Sequence, residues 1–379
     1  MDSPSRAYSQ GGAGSLYCLS CATASTFSES GIDSSSDTTS SSTATGTVSG
    51  SGSNTPSSNF LESLASSYSM TSAKIATLAA PPSALPSPDA AAEFISSSWP
   101  VKKTDPSEFV TFVEDPIESS SGEVVLSVEY PKGQYSGGEK GGANMRFEVF
   151  GEGKTRAMLS YQVGFEANFD FVKGGKLAGL FGGDVSEGCT GGHMSEACFS
   201  ARFMWRENGE GEVYGYVPTY EGQCEDAANE TSVACHGKMG QSFNRGSFSF
   251  HADQYTTLTE VAILNSNPSA DTEANGYLAV FAGETLAFER ADIVFRTNTS
   301  VFFSSILFQS MLPFSSSLAP LPSSTLTGPQ FGDVAAFFGG STEDYASTVL
   351  THTYYKNWHF YEGEEASQKE GKQVVVAGV

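Results

Sequence analysis

The stretch CFSARFMWRENGEGEVYGYVP, residues 198–218, decides how the chain is read. Phe199, Ala201, Phe203 and Trp205 alternate with Ser200, Arg202, Met204 and Arg206. Successive side chains of a strand point to opposite faces, so the first set reads as core and the second as an open face. Asn208-Gly209, at the heart of Glu207 to Gly211, is a hairpin signal. On the return strand Tyr214 and Tyr216 share a face, with Val213, Gly215 and Val217 opposite. With the turn centred on Gly209, Arg202 is expected across from Tyr216 and Met204 across from Tyr214. A one-residue slip would carry Arg202 away from the Tyr face.

The same alternation extends outward. Residues 109–113, 124–130, 146–150 and 158–165 read as strands before the hairpin. Residues 246–250, 256–264, 276–281, 293–296 and 353–360 read as strands after it. Turn signals separate them, and no stretch of helical period interrupts. The expected fold is all-β, a β-jelly-roll sandwich of two antiparallel sheets over residues 93–361. Residues 1–92 are Ser/Thr/Gly/Pro-rich and read as a disordered leader and stalk, with short helical turns expected at 61–75 and 90–97. Residues 304–330 read as a loop insertion, and 362–379 as a flexible tail.

Of 379 residues, 43 are acidic and 20 are Lys or Arg, a net charge of -23. Such a chain is a poor general ligand for nucleic acid or anionic membranes, although a local basic cluster can still bind a polyanion. No run of eighteen apolar residues suggests a membrane span. Cys18 and Cys21 form a CxxC without a second pair. Cys189, Cys198, Cys224 and Cys235 flank Gly-rich loops and read as two disulfides, 189–198 and 224–235, one of three connectivities. Asn229 and Asn298 open glycosylation sequons. These features imply secretion, although a signal peptide is not clearly visible.

The open face carries cations and phenols but not the carboxylate pair that a glycosidase needs. That set suits β-elimination from a uronic acid polymer. Arg and Lys neutralise the carboxylate and the charge that builds up when the C5 proton leaves. A general base takes that proton, and a general acid protonates the departing O4. In mannuronate and glucuronate the two leave from the same side of the ring. One Tyr, or two adjacent ones, can serve both steps, and nearby cations favour the phenolate.

The runs FVKGGKLAGLFGG, CFSARFMWR, GEVYGYVP, RGSFSF and YYKNWHF resemble polysaccharide lyase family 14, the jelly-roll alginate and glucuronan lyases, with a fungal secreted member expected. The resemblance spans Trp99 to Phe360 and implies catalytic roles for Lys176, Ser200, Arg202, Tyr214 and Tyr216. It departs at Lys176-Leu-Ala-Gly, where the family has Leu-Pro-Gly after the lysine. It further implies a monomer acting on an acidic polysaccharide without metal or organic cofactor. Lys173, Arg206, Arg245 and Lys356 are expected substrate contacts. The bland alternative for the Tyr and Arg positions is an ordinary exposed sheet face. The rival functions are a non-catalytic carbohydrate-binding or cell-wall protein on the same fold, and a glycoside hydrolase. G-x-S-x-G is absent, and none of the five His shows metal-ligand spacing, so neither nucleophilic nor zinc chemistry is indicated.

Overall fold

The structure is a computed structural model that describes residues 57–105, 108–135, 138–226, 233–235, 240–309, 338–340 and 342–376. Cys18, Cys21 and Asn229 lie outside the described residues. Two antiparallel sheets account for most of what is described.

The first runs in the order β15 (Thr285–Ile293), β14 (Gly276–Ala282), β12 (Gln254–Ile263), β6 (Arg156–Phe165), β17 (Thr351–Gly363), β4 (Val124–Tyr130) and β3 (Val110–Glu114), with β1 (Thr71–Ser72) pairing β17. The second runs β10 (Val233–Cys235), β11 (Gln241–Ser249), β9 (Glu210–Tyr216), β8 (Cys198–Arg206), β7 (Gly174–Gly183), β16 (Phe303–Gln309), β5 (Asn144–Phe147) and β2 (Val101–Asp105). A short pair, β13 (Asp271–Ala274) and β18 (Lys372–Val375), stands apart. The jelly-roll expectation holds.

The inner faces meet in one aromatic-rich core. Trp205 is ringed by Tyr130, Phe165, Phe169 and Phe338, and its indole N–H donates to the Phe171 carbonyl. Phe199, Ala201 and Phe203 join it on the buried side of β8, as the alternation requires.

The hairpin between β8 and β9 corrects the expected register. Its loop is three residues, Glu207–Gly209, with Asn208 at φ 60° and Gly209 at φ 78°. Strand pairing therefore resumes at Gly211, opposite Trp205, and Arg202 faces Tyr214 while Ser200 faces Tyr216. Gly211 pairs with Trp205, and the Phe248 ring lies where its side chain would be, 2.1 Å from an added Cβ. The shift is two residues, so every side chain keeps its face.

Three boundary expectations also change. Residues 57–92 are not part of a disordered leader. Helix α1 (Ser58–Ser67) is capped by Ser57, whose hydroxyl accepts the Phe60 N–H, and buries Leu61 and Ala65 on the outer face of the first sheet against Met158, Val261 and Tyr361. Helix α2 (Pro88–Ser98) begins with Pro and buries Ala91 and Ile95 in the main core. The tail expected from 362 is structured through 376, because β18 pairs β13 and Val374 and Val376 bury against Tyr220 and Val294. The expected insertion begins too early: residues 304–309 complete β16, between β7 and β5. Residues 310–330 lie outside the described set.

Candidate active site

The outer face of the second sheet carries the five residues singled out from the sequence. β7 and β8 fall out of step between the pairs Lys176–Met204 and Gly179–Arg202. Leu177 and Ala178 together oppose Phe203, a β-bulge that sends both residues to the core and leaves Lys176 and Gly179 on the outer face. Gly179 must lack a side chain: an added Cβ would lie 2.2 Å from the Ala201 carbonyl oxygen.

Ser200, Arg202, Tyr214 and Tyr216 follow from the register of β8 and β9. The Tyr214 and Tyr216 rings lie 5.6 Å apart, the Lys176 ammonium 5.5 Å from the centre of the Tyr216 ring, and the Arg206 guanidinium 5.6 Å from that of Tyr214. The sequence expectation therefore brings its five catalytic candidates to one place.

The loop from Asp184 to Ala197 lies over this face and is tied down by the Cys189–Cys198 disulfide. Ser200 Oγ donates to the Cys189 carbonyl at 2.7 Å, and Arg202 Nη2 donates to Thr190 Oγ1 at 2.7 Å. The Gly192 N–H donates to Tyr216 Oη at 3.0 Å. Ser200, Arg202 and Tyr216 are almost fully buried beneath the loop, whereas Lys176 and Tyr214 keep 7% and 8% of their surface exposed.

Burial governs the protonation of this group. It holds the Lys176 amine well below the usual lysine range, helped by the positive charges of Arg202 and Arg206. It lowers Arg202 to about 10, still a cation at neutral pH, against the pull of Tyr216 and Tyr214. It raises Tyr216, but Arg202 and the backbone N–H groups of Gly192 and Gly191 oppose that rise. It raises Tyr214 further, and the neighbouring Tyr216 adds to the effect.

The expected substrate contacts divide. Arg206 is at the site, and its Nε donates to Glu212 at 2.7 Å. Arg245 reaches the same buried carboxylate at 2.7 Å from the edge of the face. Lys173 is exposed on the rim and pairs with Asp344. Lys356 is not on this face at all. It lies on β17 in the other sheet, where its ammonium meets Asp115, Glu118 and Glu123 at 2.8, 2.6 and 2.8 Å. Those carboxylates are the metal-ligand-like cluster found among the described residues, and the lysine supplies the positive charge at its centre. The Cys224–Cys235 disulfide forms as expected, and Asn298 is exposed. A cavity of 790 Å³ bordered by Lys74, Glu148 and Asp184 contains none of the five site residues.

Sequence reasoning missed four contributors. Glu212 shares the two-residue period of Tyr214 and Tyr216, so alternation alone places it on the face. Arg146 of β5 reaches the same face three strands away from Arg202, in contact with the Phe181 ring at 5.8 Å. Thr190 and Gly192 sit in an irregular loop with no periodic signal.

The family profile of polysaccharide lyase 14 matches residues 118–315, which include all five positions. A marine PL-14 alginate lyase from Aplysia kurodai is similar at 26% identity, with 77% of this chain covering 100% of that one at a TM-score of 0.59. An alginate lyase from Chlorella virus shares the fold at 17% identity, with 74% and 99% of the two chains covered and a TM-score of 0.52. No curated protein matches the chain.

Proposed function

The chain belongs to polysaccharide lyase family 14, and on that premise we propose that it cleaves β-(1→4)-linked uronans, alginate before glucuronan, by β-elimination. It is a polysaccharide lyase acting on uronic acid polymers. The proposal adds the substrate, the chemistry and the residue roles.

The observation that carries the reading is the convergence of two buried cations and two phenols on one face under a loop that donates N–H groups. Lys176 and Arg202 hold the uronate carboxylate and stabilise the negative charge that spreads into it as C5 loses its proton. Tyr216 takes that proton. The Gly192 N–H and the Arg202 charge favour its phenolate, although burial opposes it. Tyr214, raised further, stays protonated and delivers its proton to O4. The C4–O4 bond breaks, C4 and C5 become doubly bonded, and the new non-reducing end is a 4,5-unsaturated uronate. Ser200, bonded to the Cys189 carbonyl, positions the loop that covers this face, and through it the sugar. Glu212 holds Arg206 against the Tyr214 ring.

Secretion fits the two disulfides, which persist in oxidising compartments. The decisive experiment is incubation with alginate and with glucuronan while following the ultraviolet absorbance of the unsaturated uronate. A rise supports elimination. Reducing ends without that chromophore would mean hydrolysis, and binding with neither would mean a carbohydrate-binding protein.

A further inference from the structure

Behind the sheet that carries the site, two polar side chains are fully buried in the apolar core. Tyr161 of β6 and Glu260 of β12 are 0% exposed and lie on adjacent strands of the opposite sheet. Neither can touch a polymer on the outer face. Burial strongly raises the Glu260 carboxyl, opposed by the Leu180 N–H. Its second oxygen has no hydrogen-bond partner among the described residues. A buried polar group with incomplete hydrogen bonding costs stability, and apolar residues of similar volume usually do better there. Packing alone does not account for Tyr and Glu.

Their hydrogen bonds meet at one place. Tyr161 Oη donates to the Ala178 carbonyl at 3.0 Å. The Leu180 N–H donates to Glu260 Oε2 at 3.3 Å. Ala178 lies in the bulge, where the pairing of β7 with β8 breaks step, and Leu180 is the second residue past it, where pairing has resumed with Ala201. A bulge leaves its extra residue out of the ladder and bends the strand, so it needs support from elsewhere. On the other side Gly179 is already pressed against Ala201 and Arg202. Tyr161 therefore bonds to the bulge and Glu260 to the strand just beyond it, opposite β8, and Lys176 is the residue immediately before the bulge.

We propose that Tyr161 and Glu260 are positioning residues for the elimination: from the core side they hold the Leu177-Ala178 bulge, which sets the height and direction of Lys176 on the outer face. The inference rests on the role given to Lys176 above. The ionisable groups around that lysine are Arg202 and Arg206 on β8 and Glu212, Tyr214 and Tyr216 on β9. A small displacement changes its distance from all of them.

The test compares Glu260→Met, Glu260→Gln and Tyr161→Phe with the wild type on alginate, reading kcat, KM, the pH profile of kcat/KM and Tm. Glu260→Met should lower kcat about tenfold with KM little changed, because misplacing a catalytic group costs rate more than binding. Its alkaline limb should move up toward the ordinary lysine range as Lys176 leaves its dry, cation-lined seat. Glu260→Gln keeps an oxygen for the Leu180 N–H and should restore both kcat and the limb. Tyr161→Phe should show the same changes at smaller amplitude, and it decides the question alone if Glu260→Met does not fold. Lower Tm with wild-type kcat and an unmoved limb would reduce both residues to a structural role and overturn the proposal. A fully active Lys176→Met would instead overturn the role of Lys176 on which the proposal rests. An inactive Lys176→Met beside unchanged Glu260→Met and Tyr161→Phe would overturn the positioning role alone.

Discussion

Lys176 and Lys356 are equally buried, each 7% exposed, each on a strand and each near a Tyr ring, yet their surroundings are opposite. Lys356 sits among three carboxylates that raise its amine despite the cost of burial. Lys176 sits beside Arg202 and Arg206, and burial and charge both lower it. The first arrangement stabilises the fold, because each charge meets its opposite. The second gathers like charges on the face proposed to meet a uronate carboxylate. Under the proposed mechanism, the sign of a buried lysine's neighbours separates a structural cation from a working one.

The sharpest way to break this comparison is to remove each ammonium. Lys176→Met should lower kcat by about 10²–10³, the usual cost of losing one stabiliser of transition-state charge. Its Tm should hold or rise, since a poorly solvated charge has gone. Lys356→Met should leave kcat/KM unchanged and destabilise the protein by about 2–3 kcal/mol, seen in urea unfolding. That figure is below the usual cost of breaking a buried pair because Glu118 and Glu123 are half exposed. Similar losses of activity in both variants would mean that the contrast is not functional.

The next effect is in pH. The ammonium of Lys176 is lost at a pH below the ordinary lysine value of about 10.4, so activity should fall on the alkaline side earlier than for an exposed lysine. Lys176→Arg keeps a cation and should move that limb upward, with a smaller loss of kcat than Lys176→Met. The stability consequence has a definite sign. Between the lowered folded value and the unfolded value the unfolded chain binds more protons, so this residue makes stability rise with pH there. Lys176→Met should flatten that rise in a Tm-against-pH series.

The smallest effect concerns Asp115, the fully buried member of the Lys356 cluster. Burial raises its carboxyl, but the Glu118 N–H, Lys356 and Tyr255 outweigh burial and lower it overall. Its contribution is present above the unfolded value of about 3.9 and fades as pH falls through the lower folded value. Asp115→Asn should be less stable than wild type at neutral pH, with the gap closing as the solution becomes acid.

Much of this was legible in the sequence because strand alternation needs no register to assign a face. Ser200, Arg202, Tyr214 and Tyr216 were grouped by period two, and a two-residue error in their pairing left the grouping intact. Lys176 was legible only through resemblance, since the bulge that turns it outward has no periodic signature. Lys356 misled for a related reason. Period and neighbouring aromatics do not say which sheet a strand joins, and the carboxylates that claim it lie more than 230 residues away in sequence. The helices before residue 92 were underrated because composition averages over a segment, while one apolar stripe such as Leu61 and Ala65 is enough to dock a helix on a waiting sheet.

The tie between Cys189 and Cys198 links the cover of the site to the redox state of its surroundings. Cys189 accepts from Ser200, and the residues after it accept from Arg202 and donate to Tyr216. Reduction would remove the covalent clasp and leave these hydrogen bonds to hold the cover. Treatment with a reductant is therefore expected to lower activity while both sheets persist, read as unsaturated-uronate absorbance beside far-ultraviolet circular dichroism.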